Sequence, residues 1–230
     1  MSDAIHLENV TITLPNQQVL LENVQLQVAQ GETVALVGLS GCGKSILAKT
    51  IAGIIPQYLT QIHATGTIEL LGKVVSNMEL LERLHTVGYI FQNPDNQIFS
   101  SIVEMELAFG LENLCVSVEQ MEQRITEVLK EIGMEKLRYE NTHNLSGGQK
   151  QLLTIGSILA LQPRILICDE ILCQLDYQSC TRVLEILQKL KNMGITIFMI
   201  EHDLEKLTDV DKIYTIQGKQ LIEYKGEISE

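Results

Sequence analysis

No apolar run in these 230 residues approaches the ~20 needed to cross a bilayer. Strand-like stretches such as residues 195–200 are far too short, so any membrane contact would come through docking on an integral partner. Basic residues are also scarce, with 17 Lys and Arg against 29 Asp and Glu and a net charge of −12. Such a surface repels nucleic-acid phosphates, and no nucleic-acid partner is expected. No C-x-x-C pair occurs among Cys42, Cys115, Cys168, Cys173 and Cys180. The spacing of the last three does not suit a zinc knuckle, so reduced thiols are expected. Residues 1–6 have no basic flank leading into an apolar segment, so no secretory signal is expected. Repeats, low-complexity tracts and linkers are missing too. A single domain over residues 1–230 is therefore expected, with 45% hydrophobic residues to build its core.

The pattern that is present alternates between strand and helix. Residues 5–7, 10–14 and 19–28 read as strands punctuated by Pro15 and Asn16. Residues 33–37 are apolar almost throughout, as in a parallel strand buried on both faces. A helix is predicted from near Gly43 through Leu47, Ala48 and Ile51, stopping near Gly53 with Pro56 beyond. Residues 87–91, 165–168 and 195–200 are further buried strands, which predicts an open parallel sheet flanked by helices. Residues 104–114 and 119–132 have helical spacing with no buried strand, so about 96–161 reads as a helical insertion. Residues 212–224 read as a hairpin turning at Gln217, Gly218 and Lys219.

Four motifs carry chemistry. Gly38, Leu39, Ser40, Gly41, Cys42, Gly43, Lys44 and Ser45 form a complete G-x-x-x-x-G-K-[ST] between a predicted strand and a predicted helix. Backbone N–H groups of such a loop bind phosphate oxygens, the lysine adds a point charge, and the hydroxyl suits Mg²⁺. About a hundred residues later, Leu145, Ser146, Gly147, Gly148 and Gln149 precede a helix predicted over 151–161. A second anion-binding helix tip suggests a second face on the same phosphates, although an ordinary serine N-cap would read the same from S-G-G alone. Strand 165–168 ends in Asp169 and Glu170. Neighbouring side chains diverge, so Asp169 is free for magnesium while Glu170 faces a water. Gln92 and His202 close two further strands on the same edge. The amide suits the metal or a water, and the imidazole suits a γ-phosphate. The other histidines (His6, His63, His85 and His143) read as structural.

Together these residues resemble the ATP-binding-cassette (ABC) ATPases along essentially the whole chain. Gly38 to Ser45 match the Walker A loop, Leu145 to Gln149 the signature, and Asp169 and Glu170 the end of Walker B. Gln92 matches the Q-loop, Asp176 the D-loop and His202 the switch histidine. The run F-Q-N-P-D-N-Q-I-F at 91–99 is similar to the ATPases of energy-coupling-factor and cobalt-type importers. The resemblance implies an α/β P-loop NTPase core with a mostly parallel sheet, at about 1–95 and 162–230. It also implies an N-terminal antiparallel β subdomain and an inserted helical subdomain. The implied catalytic residues are Glu170, His202 and Gln92, with Ser45, Gln92 and Asp169 around Mg²⁺. The implied function is ATP-driven pairing with a second cassette chain, like or unlike, so that Ser146, Gly147 and Gly148 reach the partner's nucleotide. An integral coupling protein and a substrate-binding membrane subunit for a vitamin or metal ion would place the chain at the cytoplasmic face of the membrane. Asp95 is expected to receive a basic coupling helix. The alternative is a soluble cassette ATPase driving a cytosolic machine. The chain departs from the family pattern at three places: Leu14 stands where an aromatic residue stacks on adenine, Ile171 and Leu172 follow Glu170, and Cys173 and Gln174 open the D-loop.

Cys42 lies inside the phosphate loop. Alkylation of this thiol is expected to block ATP binding and bound ATP to protect it; equal labelling with and without ATP in a mass-spectrometric assay would remove the idea.

Overall fold

The computed structural model describes residues 3–207, 209–224 and 226. Residues 1 and 2 of the expected leaderless start, and the outermost residues of the expected domain, lie outside that set. Two sheets carry the architecture. Strands β1 (Asp3–Thr13), β2 (Val19–Ala29), β4 (His63–Leu70) and β5 (Lys73–Val74) make an antiparallel sheet in the order β2-β1-β4-β5. Strands β3 (Thr33–Val37), β6 (Val87–Ile90), β7 (Ile165–Asp169), β8 (Thr196–Ile200), β9 (Lys212–Gln217) and β10 (Gln220–Glu223) make the second, in the order β10-β9-β3-β8-β7-β6. All its pairings are parallel except the β9–β10 hairpin.

Strand parity divides the core in two. Val34 and Leu36, Ile165 and Ile167, and Phe198 and Ile200 point to one face. There they pack with Leu47, Ala48 and Ile51 of helix α1 (Lys44–Ile51) and with the inner face of the antiparallel sheet. Ala35, Leu166, Cys168, Ile197 and Met199 point the other way. They meet α3 (Val103–Asn113), α4 (Val118–Ile132), α5 (Gly147–Leu159) and α6 (Tyr177–Asn192). Parallel strands buried on both faces require this near-continuous apolar composition.

The expected architecture is present: a mostly parallel sheet, an antiparallel N-terminal sheet, and a stretch between β6 and β7 that holds helices, turns and an isolated bridge between Ile102 and Asn141. Three local expectations need correction. Residues 5–7 and 10–13 belong to one strand, not two, and Leu14 falls in the turn after it. The register of β1 slips between Leu7 and Val10 at a bulge where Asn9 adopts φ 53°. Strand β4 and helix α2 (Leu80–Thr86) escaped sequence reading, because β4 is mostly half-exposed with little alternation and α2 has only seven residues. Helix α5 begins at Gly147 rather than at residue 151, so the signature is its first turn.

The bulge makes one glycine necessary. Gly66 on β4 has φ +93°, and a Cβ there would stand 2.4 Å from the Asn9 carbonyl oxygen. Gly66→Ala is expected to cost at least about 1 kcal/mol, read as a lower urea midpoint with an unchanged m-value.

Candidate functional site

The C-terminal ends of β3, β6, β7 and β8 lie side by side, and each delivers one part of the site. This is the edge at which open α/β sheets bind ligands. Val37 leads into the phosphate loop, and the loop into α1, whose N-cap is Gly43. A cleft of about 150 Å³ is lined by Gly41, Gly43, Lys44, Ser45, Ile46 and Glu170. Lys44 is buried, and its ammonium donates to the carbonyl oxygens of Gly38 (2.9 Å) and Leu39 (2.8 Å). Leu39, Ser40 and Gly41 are exposed, while Cys42 is half-buried.

Parity places the two acids of the strand tip. Asp169 shares its face with Ile165 and Ile167, toward α1, and Ser45 Oγ donates to its Oδ1 at 2.8 Å. Tyr89, on the same face of β6, donates its hydroxyl to the other oxygen at 2.6 Å. Burial and the Asp169 charge push the Tyr89 phenol far above its ordinary range, so it acts here as a fixed donor. A serine hydroxyl and a carboxylate converging from helix and strand form an oxygen donor set suited to Mg²⁺. Glu170 leaves the strand with φ 53°, unusual for a residue with a side chain. Its carboxylate is bracketed: Gln92 Nε2 donates to Oε2 at 2.7 Å, and His202 Nε2 lies 2.5 Å from Oε1. The other ring nitrogen of His202 is 3.0 Å from the Gly38 carbonyl oxygen, which links the strand tip to the phosphate loop.

The signature is a capped helix start. Ser146 accepts from the Gln149 N–H and Gln149 accepts from the Ser146 N–H, a complete capping box. Leu145 is buried, Ser146 and Gly147 are exposed, and Gly148 is buried against α6. A Cβ on Gly148 would fall 2.0 Å from Ser179 Oγ. Ser179 in turn bonds through its N–H and its hydroxyl to Asp176, the cap of α6. Those bonds, the backbone one foremost, lower the Asp176 pKa. The signature and the D-loop aspartate are thus tied together, while among the described residues none of Leu145–Gln149 lines the phosphate cleft.

Two further expected residues have clear surroundings. The largely exposed Asp95 carboxylate pairs with Lys150 of α5 at 2.6 Å. Leu14 sits half-buried in the β1–β2 turn, where its N–H bonds the Gln18 carbonyl.

Sequence reading passed over Tyr89, Gln97 and Glu201. Gln97 accepts from Phe91 N–H and donates to the Tyr89 carbonyl, shaping the turn that holds Gln92. Glu201 is 3% exposed. Only an apolar strand running into an acid beside His202 hinted at it.

A sequence profile of the family described as ABC transporter matches residues 21–172. The chain belongs to the ABC transporter family. It is 38% identical over 204 residues to the energy-coupling factor transporter ATP-binding protein EcfA1 of Mycoplasma pneumoniae, covering 88% of this chain and 72% of that one. The Leuconostoc mesenteroides protein of the same name is 36% identical over 96% of this chain and 80% of its own length. A putative ABC transporter ATP-binding protein of Methanosarcina acetivorans is 38% identical over 95% of this chain. The chain spans about a third of that relative, 34% of its length. The structure of cbiO1 from Clostridium perfringens, described as part of the ABC transporter complex cbiONQ, superposes with a TM-score of 0.86 at 26% identity. That match covers 96% of this chain and 88% of cbiO1. No helix among the described residues is long and apolar enough to cross a membrane.

Glu201 gives this ABC domain a pH dependence. Burial pushes its carboxyl up from about 4.5 to about 7, partly opposed by the Leu172 N–H and Lys206 and reinforced by Glu170 and Asp203. The folded value lies above the unfolded one, so the contribution is fully present in acid and is lost as pH rises through about 7. Glu201→Gln, which cannot ionise, is expected to match the parent Tm near pH ~5 and exceed it near pH ~8. Thermal scans across that range would refute this by showing parallel curves.

Proposed function

We propose that this chain is the ATP-binding and ATP-hydrolysing subunit of an energy-coupling-factor-type membrane importer, acting as one of a pair of cassettes. The observation that carries the reading is the divided site. Walker A, Walker B, Gln92 and His202 converge on one sheet edge, while the signature tip is exposed and takes no part in the phosphate cleft. A second cassette, identical or different, would bring its own Ser146-type tip to the phosphates held by Lys44. Phosphate oxygens would draw the Lys44 ammonium from the carbonyls of Gly38 and Leu39. Ser45, Asp169 and Gln92 would hold Mg²⁺, which when bound neutralises phosphate charge. Glu170, held by Gln92 and His202, is the base that orients and polarises the attacking water once one bracket opens. His202 spans Glu170 and the loop carbonyl of Gly38, so it senses both.

An apolar face supports a membrane partner. A groove of about 300 Å³ is lined by Ile54, Tyr58, Leu80, Leu84, Ile158 and Leu161, among others. Leu161 packs on Gly110 of α3, the helix that bears exposed Met105 (59%) and Phe109 (46%). Phe99 is 73% exposed and lies 5.8 Å, ring to ring, from Phe109. Buried Glu106 holds it there by accepting from the N–H groups of Phe99 and Ser100. Exposed aromatics fixed by a buried carboxylate suit a docking face. The occupant proposed is the integral coupling protein, at the cytoplasmic face of the membrane. The cargo, a vitamin or metal ion, would be chosen by a separate membrane subunit. A cytosolic machine without transport is the alternative, and it leaves this face unexplained.

Two measurements test the reading. Glu170→Gln saturated with Mg-ATP is expected to associate with a second cassette in size-exclusion chromatography; a monomer in the presence of every candidate cassette would sink it. Phe99→Asp combined with Phe109→Asp is expected to abolish co-purification of integral membrane proteins and leave ATP affinity within about twofold, since surface changes usually alter stability little.

A further inference from the structure

The backbone of one residue beyond Walker B is contacted on both its N–H and its carbonyl by the segment that follows β8. Glu201 Oε1 accepts the Leu172 N–H at 3.4 Å, and Lys206 Nζ donates to the Leu172 carbonyl at 3.3 Å. Leu172 is fully buried, two residues after Glu170 and four before Asp176. Glu201 is itself anchored, its N–H bonding the Leu36 carbonyl at 3.2 Å, just ahead of the phosphate loop. The Glu170 N–H bonds the Ile200 carbonyl at 3.1 Å. Ile171 and Leu172 are buried and carry no side-chain polar group, so the side-chain bonds that tie this segment to the one after β8 run to the Leu172 backbone. A carboxylate at 201 supplies the buried Leu172 N–H with an acceptor that an apolar side chain would remove.

We propose that Glu201 is a positioning residue for ATP hydrolysis: with Lys206 it clamps the backbone of Leu172 through its N–H and its carbonyl, fixing Glu170 and Asp176 relative to His202. The inference rests on the ATPase reading above. Motion of the His202 segment is transmitted through this clamp to the D-loop. Through the contact between Ser179 and Gly148 it then reaches the signature tip.

The test uses the complex isolated from solubilised membranes by a tag on this chain, with Mg-ATP turnover and nucleotide affinity measured separately. Glu201→Ala is expected to lower kcat about tenfold with KM within about twofold, since small misplacements of a reacting group have effects of that order. Glu201→Gln keeps an acceptor for the Leu172 N–H and is expected to restore kcat to within about threefold. Lys206→Met removes the other half of the clamp and is expected to lower kcat in the same direction, which keeps the test open should Glu201→Ala fail to fold. Unchanged kcat in Glu201→Ala or Lys206→Met, or a Gln variant as slow as the Ala variant, would overturn the proposal while leaving the ATPase reading standing. No turnover by the unmodified complex would overturn the ATPase reading, and this inference with it.

Discussion

The 2.8 Å hydrogen bond from Ser45 to Asp169 joins the first turn of α1 to the tip of β7, and the rest of the site is arranged around it. It exists because of parity. Ile165, Ile167 and Asp169 share one face of the strand, and α1 packs on that face through Leu47, Ala48 and Ile51. A shift of one residue in β7 would turn Asp169 away and bury the wrong set of apolar side chains. The apolar core and the polar site are therefore specified by the same alternation. Tyr89 reinforces this from the neighbouring strand, and its register opposite Ile167 puts its hydroxyl within reach of Asp169.

Glu170 stands just past that ordered edge, in a left-handed conformation and with both carboxylate oxygens engaged. Its two partners come from different strand tips, and one of them also touches the phosphate loop. Ligand at the loop, the turn after β6 and the segment after β8 thus all bear on one side chain. A charge-assisted bracket of this kind holds geometry more firmly than a neutral pair.

Much of this was legible beforehand because its signals are local. The phosphate loop needs closely spaced glycines and a lysine, and Walker B needs an apolar strand ending in acids, so both announce themselves over fewer than ten residues. Strand β4 did not, because it is half-exposed and shows little alternation. The signature was visible, but its role as the first turn of α5 was not; the capping box of Ser146 and Gln149 moves the helix start four residues earlier than apolar spacing suggests. Glu201 and Tyr89 were invisible for another reason. Their partners lie 29 and 80 residues away along the chain, and only the folded sheet brings them together.

The pair between Asp95 and Lys150 spans the seam between the core and the helical insertion, from the turn after Gln92 to the first turn of α5. Asp95 is largely open to solvent, where such pairs are worth at most about 1 kcal/mol. A contact that weak adds little to the apolar packing that already holds the insertion on the sheet. Rising ionic strength is expected to loosen this contact first, before it touches the apolar packing of α3, α4 and α5 on Leu166, Cys168 and Met199.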